Sequence, residues 1–135
     1  MNLQYQKIRE INFNTVDHLL NETNDTDEIC NILLSIGLYY EENGEIEDIL
    51  YAYFKSEDLD VSRAAILSIG HLVRRKRNIN KEKLLNNLKR VTFPIELMGT
   101  IEDVIDDFNV FSLDNSKISI EELEPLILKS ENIQS

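Results

Sequence analysis

Leu34-Ser35-Ile36-Gly37 and Leu67-Ser68-Ile69-Gly70 are the same four residues, 33 positions apart. The likeness continues on both sides. Asn31-Ile32-Leu33 stands against Ala64-Ala65-Ile66, and Ile49, Leu50 and Tyr53 lie 35 residues before Leu84, Leu85 and Leu88. A period of this length marks stacked helix pairs, each with too little core of its own and burying its apolar face on the next. A Gly inside a helix costs about 1 kcal/mol relative to Ala and is tolerated where another helix must come close. Gly37 and Gly70 are therefore expected to be contact points between neighbouring helices.

Working outward, Asp27 to Glu42 reads as a helix. Ile29, Ile32, Leu33, Ile36 and Tyr40 recur three and four apart, Asp25 is a candidate N-cap with Glu28 three residues on, and Asn43-Gly44 ends the helix. Ile46 to Lys55 follows, with Ile46, Ile49, Leu50, Tyr53 and Phe54 on one face and Glu47, Asp48 and Tyr51 on the other. Asp60 is placed to cap a helix from Val61 to about Arg77. Its last turn, Arg74-Arg75-Lys76-Arg77, has two readings: cations favoured by the helix dipole, or a dedicated anion site. Asn80 caps Lys81 to about Val91 through Leu84, Leu85, Leu88 and Val91. Pro94 opens a further helix containing Met98, Ile101, Val104, Ile105 and Phe108. At the ends, Thr15 is a candidate cap for a short helix through Val16, Leu19 and Leu20. Ser119-Ile120-Glu121-Glu122 matches a capping box, Pro125 interrupts after it, and residues 131–135 are expected to fray.

The 135 residues include four Gly and two Pro, a scarcity of breakers that suits long helices with short connections. The expectation is an all-α fold, a single domain over residues 1–135. No run of about 18 apolar residues and no signal-peptide stretch is present, so neither a membrane span nor a membrane partner is expected and a cytoplasmic location is the simplest reading. The lone cysteine, Cys30, cannot form an internal disulfide.

The net charge of −11 is unevenly spread. Residues 1–70 hold 14 acidic and 4 basic side chains, residues 71–94 hold 1 and 8, and residues 95–135 hold 10 and 2. So acidic a chain repels nucleic acid, whose binding depends on Lys and Arg displacing counterions, and attracts basic partners. Solubility alone is the plainer account of the same charge.

Asp58-Leu59-Asp60-Val61-Ser62-Arg63-Ala64-Ala65, continuing to Ile69-Gly70-His71-Leu72, resembles the HEAT-repeat family, although Ser62 separates Val61 from Arg63 where that family pairs Val with Arg. The resemblance covers residues 27–110 and implies a HEAT-like α-solenoid of about three helix pairs. From Gly70-His71-Leu72 to Ile101-Glu102-Asp103-Val104-Ile105-Asp106-Asp107 the chain also looks like small bacterial HEAT-like proteins, some of them immunity proteins of contact-dependent growth inhibition (CDI) systems. That resemblance implies a cytoplasmic protein that binds and neutralises one cognate toxin, often a nuclease.

No catalytic set stands out. Cys30 falls near an apolar stripe and reads as a buried, inert thiol, while His18 and His71 are isolated in sequence. Glu102, Asp103, Asp106 and Asp107 include two like-charge i, i+4 pairs, each destabilising an isolated helix by a few tenths of a kcal/mol. They read as a solvated face or as a recognition face for Lys and Arg of a partner, with a metal site a lesser reading because no His completes a di-metal helix motif. In a stack of helix pairs the second helices line the concave side, here residues 46–55, 81–91 and 95–110. That places Glu47, Asp48 and Tyr51, with Glu102, Asp103, Asp106 and Asp107, on one binding side, with Lys83, Asn87 and Arg90 between them and Tyr51 and Tyr39 as aromatic anchors. The expected function is stoichiometric inhibition of a toxin, an RNA-cleaving nuclease with a basic groove, without catalysis, metal or cofactor. The competing expectations are a HEAT-like adaptor unrelated to toxins and a HEAT-like DNA glycosylase, the latter disfavoured by the acidic strings.

Overall fold

The computed structural model describes residues 15–39, 44–76, 79–112 and 117–126. Within them the fold is all-α. Helix α1 spans Val16–Glu22, α2 Thr26–Tyr39, α3 Gly44–Ala52, α4 Leu59–Lys76, α5 Lys81–Lys89 and α6 Met98–Phe111. A final helix, α7, covers residues 120–126. A 3-10 turn, Tyr53–Lys55, extends α3, and another, Ile95–Leu97, leads from Pro94 into α6.

The duplication reaches further back than the tetrapeptide. The Asp25 carboxylate accepts from the Asp27 and Glu28 amides at 2.9 and 3.5 Å, and the Asp58 carboxylate from the Asp60 and Val61 amides at 2.9 and 3.4 Å. The Thr23 hydroxyl accepts from the Asp25 amide, as the Ser56 hydroxyl does from the Asp58 amide. The two helix starts, 33 residues apart, are thus the same structure made by the same residue types. Asp58, not Asp60, caps α4. Asp60 instead lies in the first turn, where it meets Arg63 at 3.3 Å. Thr26 Oγ1 also donates to Asp58 Oδ2 at 3.0 Å, tying the start of α2 to the start of α4.

Other caps follow the sequence. Asn80 accepts from the Lys83 amide at 3.0 Å, and Ser119 and Glu122 satisfy each other's amides reciprocally. Thr15 stands at the α1 N-cap position without a side-chain capping bond, and α7 runs on through Pro125. Gly44 is the first residue of α3 rather than the stop of α2. The expected extension of α2 through 40–42, the cap at Asn43, the end of α4 at Arg77 and the frayed residues 131–135 lie outside the described residues.

Helix α4 is the centre of the molecule, with α2 and α6 packed against it. Ser68 and Gly70 explain the arrangement. Two residues apart on a helix, they point about 200° away from one another. A Cβ on Gly37 of α2 would lie 2.7 Å from Ser68 Cα, and a Cβ on Gly70 would lie 3.2 Å from Val104 Cγ2 of α6. Both glycines therefore are helix contact points, each facing the next helix in line. The buried Ser68 hydroxyl lies 2.8 Å from the Leu33 carbonyl and 2.7 Å from that of Ala64, so its proton is satisfied within the seam. Arg75 donates to the Gly37 carbonyl at 3.1 Å, while Arg74 reaches Asp107 at 2.7 Å. The paired arginines thus part company, one toward α2 and one toward α6.

Helix α6 accordingly stands in the row α2–α4–α6 and is not a second helix beside α3 and α5. Helix α3 packs on α4, α5 meets α3 through Lys83, and α7 meets α5 through Lys81, whose ammonium lies 3.1 Å from Glu122. One continuous apolar core joins the rows, with Leu33, Ile36, Leu50, Ile66, Ile69, Leu72, Leu84 and Phe108 fully enclosed. Each such side chain contributes roughly 1.5–3 kcal/mol on burial. Phe54 meets Tyr51 and Phe93 edge to face, with centroids 5.4 and 6.1 Å apart.

Candidate functional site

The residues read from sequence as one binding side divide between the two rows. Glu102, Asp103 and Asp106 are exposed on α6, because Ile101, Val104, Ile105 and Phe108 take the inward positions. Their carboxylates meet no cation among the described residues. Asp107, one turn after Asp103, is half-buried and held by Arg74. It serves the α4–α6 seam rather than the open face.

The residues of α3 behave differently from one another. Asp48 is exposed, but Glu47 and Tyr51 are buried, at 8% and 6% exposure, and do not present the outward face expected of them. The physical cause is Lys83 of α5. Its ammonium sits 3.1 Å from Glu47 and 2.6 Å from Asp48, and 5.7 Å from the centre of the Tyr51 ring. Helix α3 is therefore covered on two sides, by the core and by α5. The Asp48 hydrogen bond holds the Lys83 ammonium above its ordinary range against the opposing effect of burial. Burial, and then Glu47 and Asp48, push the Tyr51 hydroxyl well up. That hydroxyl is enclosed and has no hydrogen-bond partner among the described residues.

Between α3 and α5 lies an open cleft of about 1020 Å³, lined by Asp48, Tyr51, Lys55, Lys83, Asn86 and Arg90 among others. The sequence placed Lys83, Asn87 and Arg90 between acidic rows. It carried no sign that Lys83 is the bridge or that Lys55 joins Arg90 at a cleft, since that depends on how two helices face.

The other candidates for chemistry are occupied. His71 Nδ1 lies 2.6 Å from Arg74 Nη2, which donates to it, and burial followed by the Arg74 charge lowers the ring's affinity for a proton. Cys30 is half-buried rather than buried, and its thiol is pushed up to about 11, chiefly by burial and then by Asp60, Asp58 and Asp27. Such a thiol stays protonated near neutral pH and is a poor nucleophile. Tyr39 is also half-buried. Among the described residues no group of three His, Cys, Asp or Glu side chains is placed to hold a metal ion, and no helix is long and apolar enough to cross a membrane.

Fold and surface together define a class: an all-helical protein of two rows of helices that displays opposite charges on different parts of its surface. No family model and no curated protein matches the chain. Among solved structures it is similar to a chain in the crystal structure of a CDI complex from Cupriavidus taiwanensis LMG 19424. The TM-score is 0.66 at 22% identity, over 79% of this chain and 96% of the other. The likeness is one of fold.

Proposed function

We propose that this chain is an immunity protein of a contact-dependent growth inhibition system, which binds one cognate toxin stoichiometrically and neutralises it in the cytoplasm. The observation that carries this reading is the shared fold with a chain from a CDI complex, over nearly the whole of that chain. Charge supports it. Glu102, Asp103 and Asp106 stand in solvent without cations among the described residues, on a chain of net charge −11. Carboxylates placed this way speed the approach of a basic protein and gain partners when it docks. Asp48, half neutralised by Lys83, adds a further exposed carboxylate. A toxin nuclease, above all one that cleaves RNA, has the basic substrate groove such a surface complements. The two rows of helices form a HEAT-like scaffold in this reading, and the protein acts by binding without catalysis of its own.

The test is to produce the toxin domain encoded beside this chain's gene, alone and with this chain. Growth is expected to be restored by co-production, and nuclease activity of the purified toxin to fall to background at one equivalent. Full activity in the presence of excess chain overturns the proposal. A Glu102→Gln, Asp103→Asn, Asp106→Asn variant is expected to slow association about tenfold at low salt, with the difference narrowing as salt screens it.

A further inference from the structure

The α3–α5 cleft carries more cations than carboxylates on a chain that is acidic as a whole. The chain holds 25 acidic and 14 basic residues, so a cation readily finds a carboxylate here. Arg63, Arg74, Lys81 and Lys83 each lie against one. Lys55 and Arg90 are exposed, meet no carboxylate among the described residues, and both line this cleft. Lys83 does not add to their charge, because Glu47 and Asp48 already neutralise it.

The remaining lining is suited to a peptide. Asn86 and Asn87 line the same cleft. Asn87 Nδ2 donates to the Lys83 carbonyl at 2.8 Å, which leaves its side-chain oxygen to accept from a backbone N–H. Tyr51 forms part of the wall, its hydroxyl enclosed and out of a ligand's reach. The volume of about 1020 Å³ is at the upper end of what small-molecule pockets reach, and the cleft is open rather than enclosed. A polyanion such as RNA is disfavoured by the −11 net charge, since its binding rests on releasing many counterions. A single carboxylate carried on an otherwise basic protein meets no such barrier.

We propose that this cleft receives an extended segment of a protein partner carrying an acidic side chain, its carboxylate held between Arg90 and Lys55 and its backbone by Asn86 and Asn87. The proposal rests on the reading of this chain as a toxin-binding protein and names a second contact for the same partner.

The test uses the full chain and the toxin domain described above. Calorimetry would compare the wild-type chain with a Lys55→Glu, Arg90→Glu variant whose helicity is checked by circular dichroism. Hydrogen exchange of the wild-type complex would map protection without any substitution. Tenfold or greater weakening in the variant, with new protection over residues 86–92, is the expected result. Wild-type binding that the variant matches, or protection confined to α6, overturns the cleft and leaves the immunity reading standing. No binding by the wild-type chain overturns both. A fluorescent RNA oligonucleotide bound by the wild type and lost in the variant assigns the cleft to phosphate and overturns the peptide assignment.

Discussion

The row α2–α4–α6 and the row α3–α5–α7 solve the same problem by opposite means. In the first, helices touch where a side chain is missing: Gly37 lies on Ser68 and Gly70 lies beneath Val104. In the second, they touch where a long side chain is present: Lys83 spans from α5 to Glu47 and Asp48, and Lys81 spans to Glu122. A steric seam is short-ranged and unforgiving, because close-packed atoms have nowhere to go. An ionic seam tolerates displacement, since flexible stems keep charges in reach over several ångströms. It also leaves space between helices, and the cleft lies there. The contrast teaches why the cleft opens in the ionic row, while the exposed carboxylates of α6 stand on the steric one.

The largest effect is expected where the steric seam is broken. Gly37→Ala places a methyl group 2.7 Å from the Ser68 backbone. Overpacking against backbone is expected to cost about 3 kcal/mol, beyond what better helix propensity returns. Gly70→Ala meets only a Val104 methyl at 3.2 Å and is expected to stay within about 1 kcal/mol of wild type. Urea unfolding of both variants checks the difference. Equal costs would show that the two repeats do not use their glycines differently.

Next comes the ionic seam. Lys83→Met strands the buried Glu47 carboxylate and removes a cation shared with Asp48. A loss of about 1.5 kcal/mol is expected, below the figure for a fully buried pair because Lys83 is partly in water. If Lys83→Met proves costlier than Gly37→Ala, the ranking of the two seams is reversed.

The smallest effect concerns His71, between the glycine of the steric seam and the Arg74–Asp107 bridge. Burial and then Arg74 lower its proton affinity in the folded chain, against the opposing pull of Asp107. The unfolded chain therefore binds a proton that the folded chain refuses. Stability from this group is complete above about pH 6.5, the ordinary imidazole value, and declines as pH falls below it. Urea midpoints at pH 7.5 and 5.5 are expected to differ slightly less in His71→Asn than in the wild type. An unchanged difference would leave the α4–α6 seam with no proton-linked part at His71.

What was legible in the sequence was local. The duplicated tetrapeptide marks two helices, its glycines mark their contacts, and Asp25, Asn80 and the Ser119–Glu122 pair cap as their types suggest. The cap at Asp58 was also within reach, since Thr23-x-Asp25 and Ser56-x-Asp58 repeat at the same 33-residue spacing, but Asp60 sits nearer the apolar run. What no local pattern encodes is how many sides of a helix are covered. A wheel drawn for α3 leaves Glu47 and Tyr51 facing water because it does not contain α5. Nor does α6 carry a copy of the tetrapeptide to say which row it joins, so its carboxylates were placed beside those of α3 when α6 stands with α4. The exposure of Glu102, Asp103 and Asp106 was thus legible in the sequence, and their separation from Glu47, Asp48 and Tyr51 was not.

Arg74 and Arg75 have a further consequence. Adjacent in the chain, they bond to helices on opposite flanks of α4, one to Asp107 and the other to the Gly37 carbonyl. Turning α4 by a single residue, about 100°, would take both off their partners together. The dipeptide thus acts as a rotational key: it reads the phase of the central helix from both flanks and accepts one setting. A homologous unit spliced into this chain with its helix one residue longer ahead of the arginines would keep its apolar content and still fail to seat.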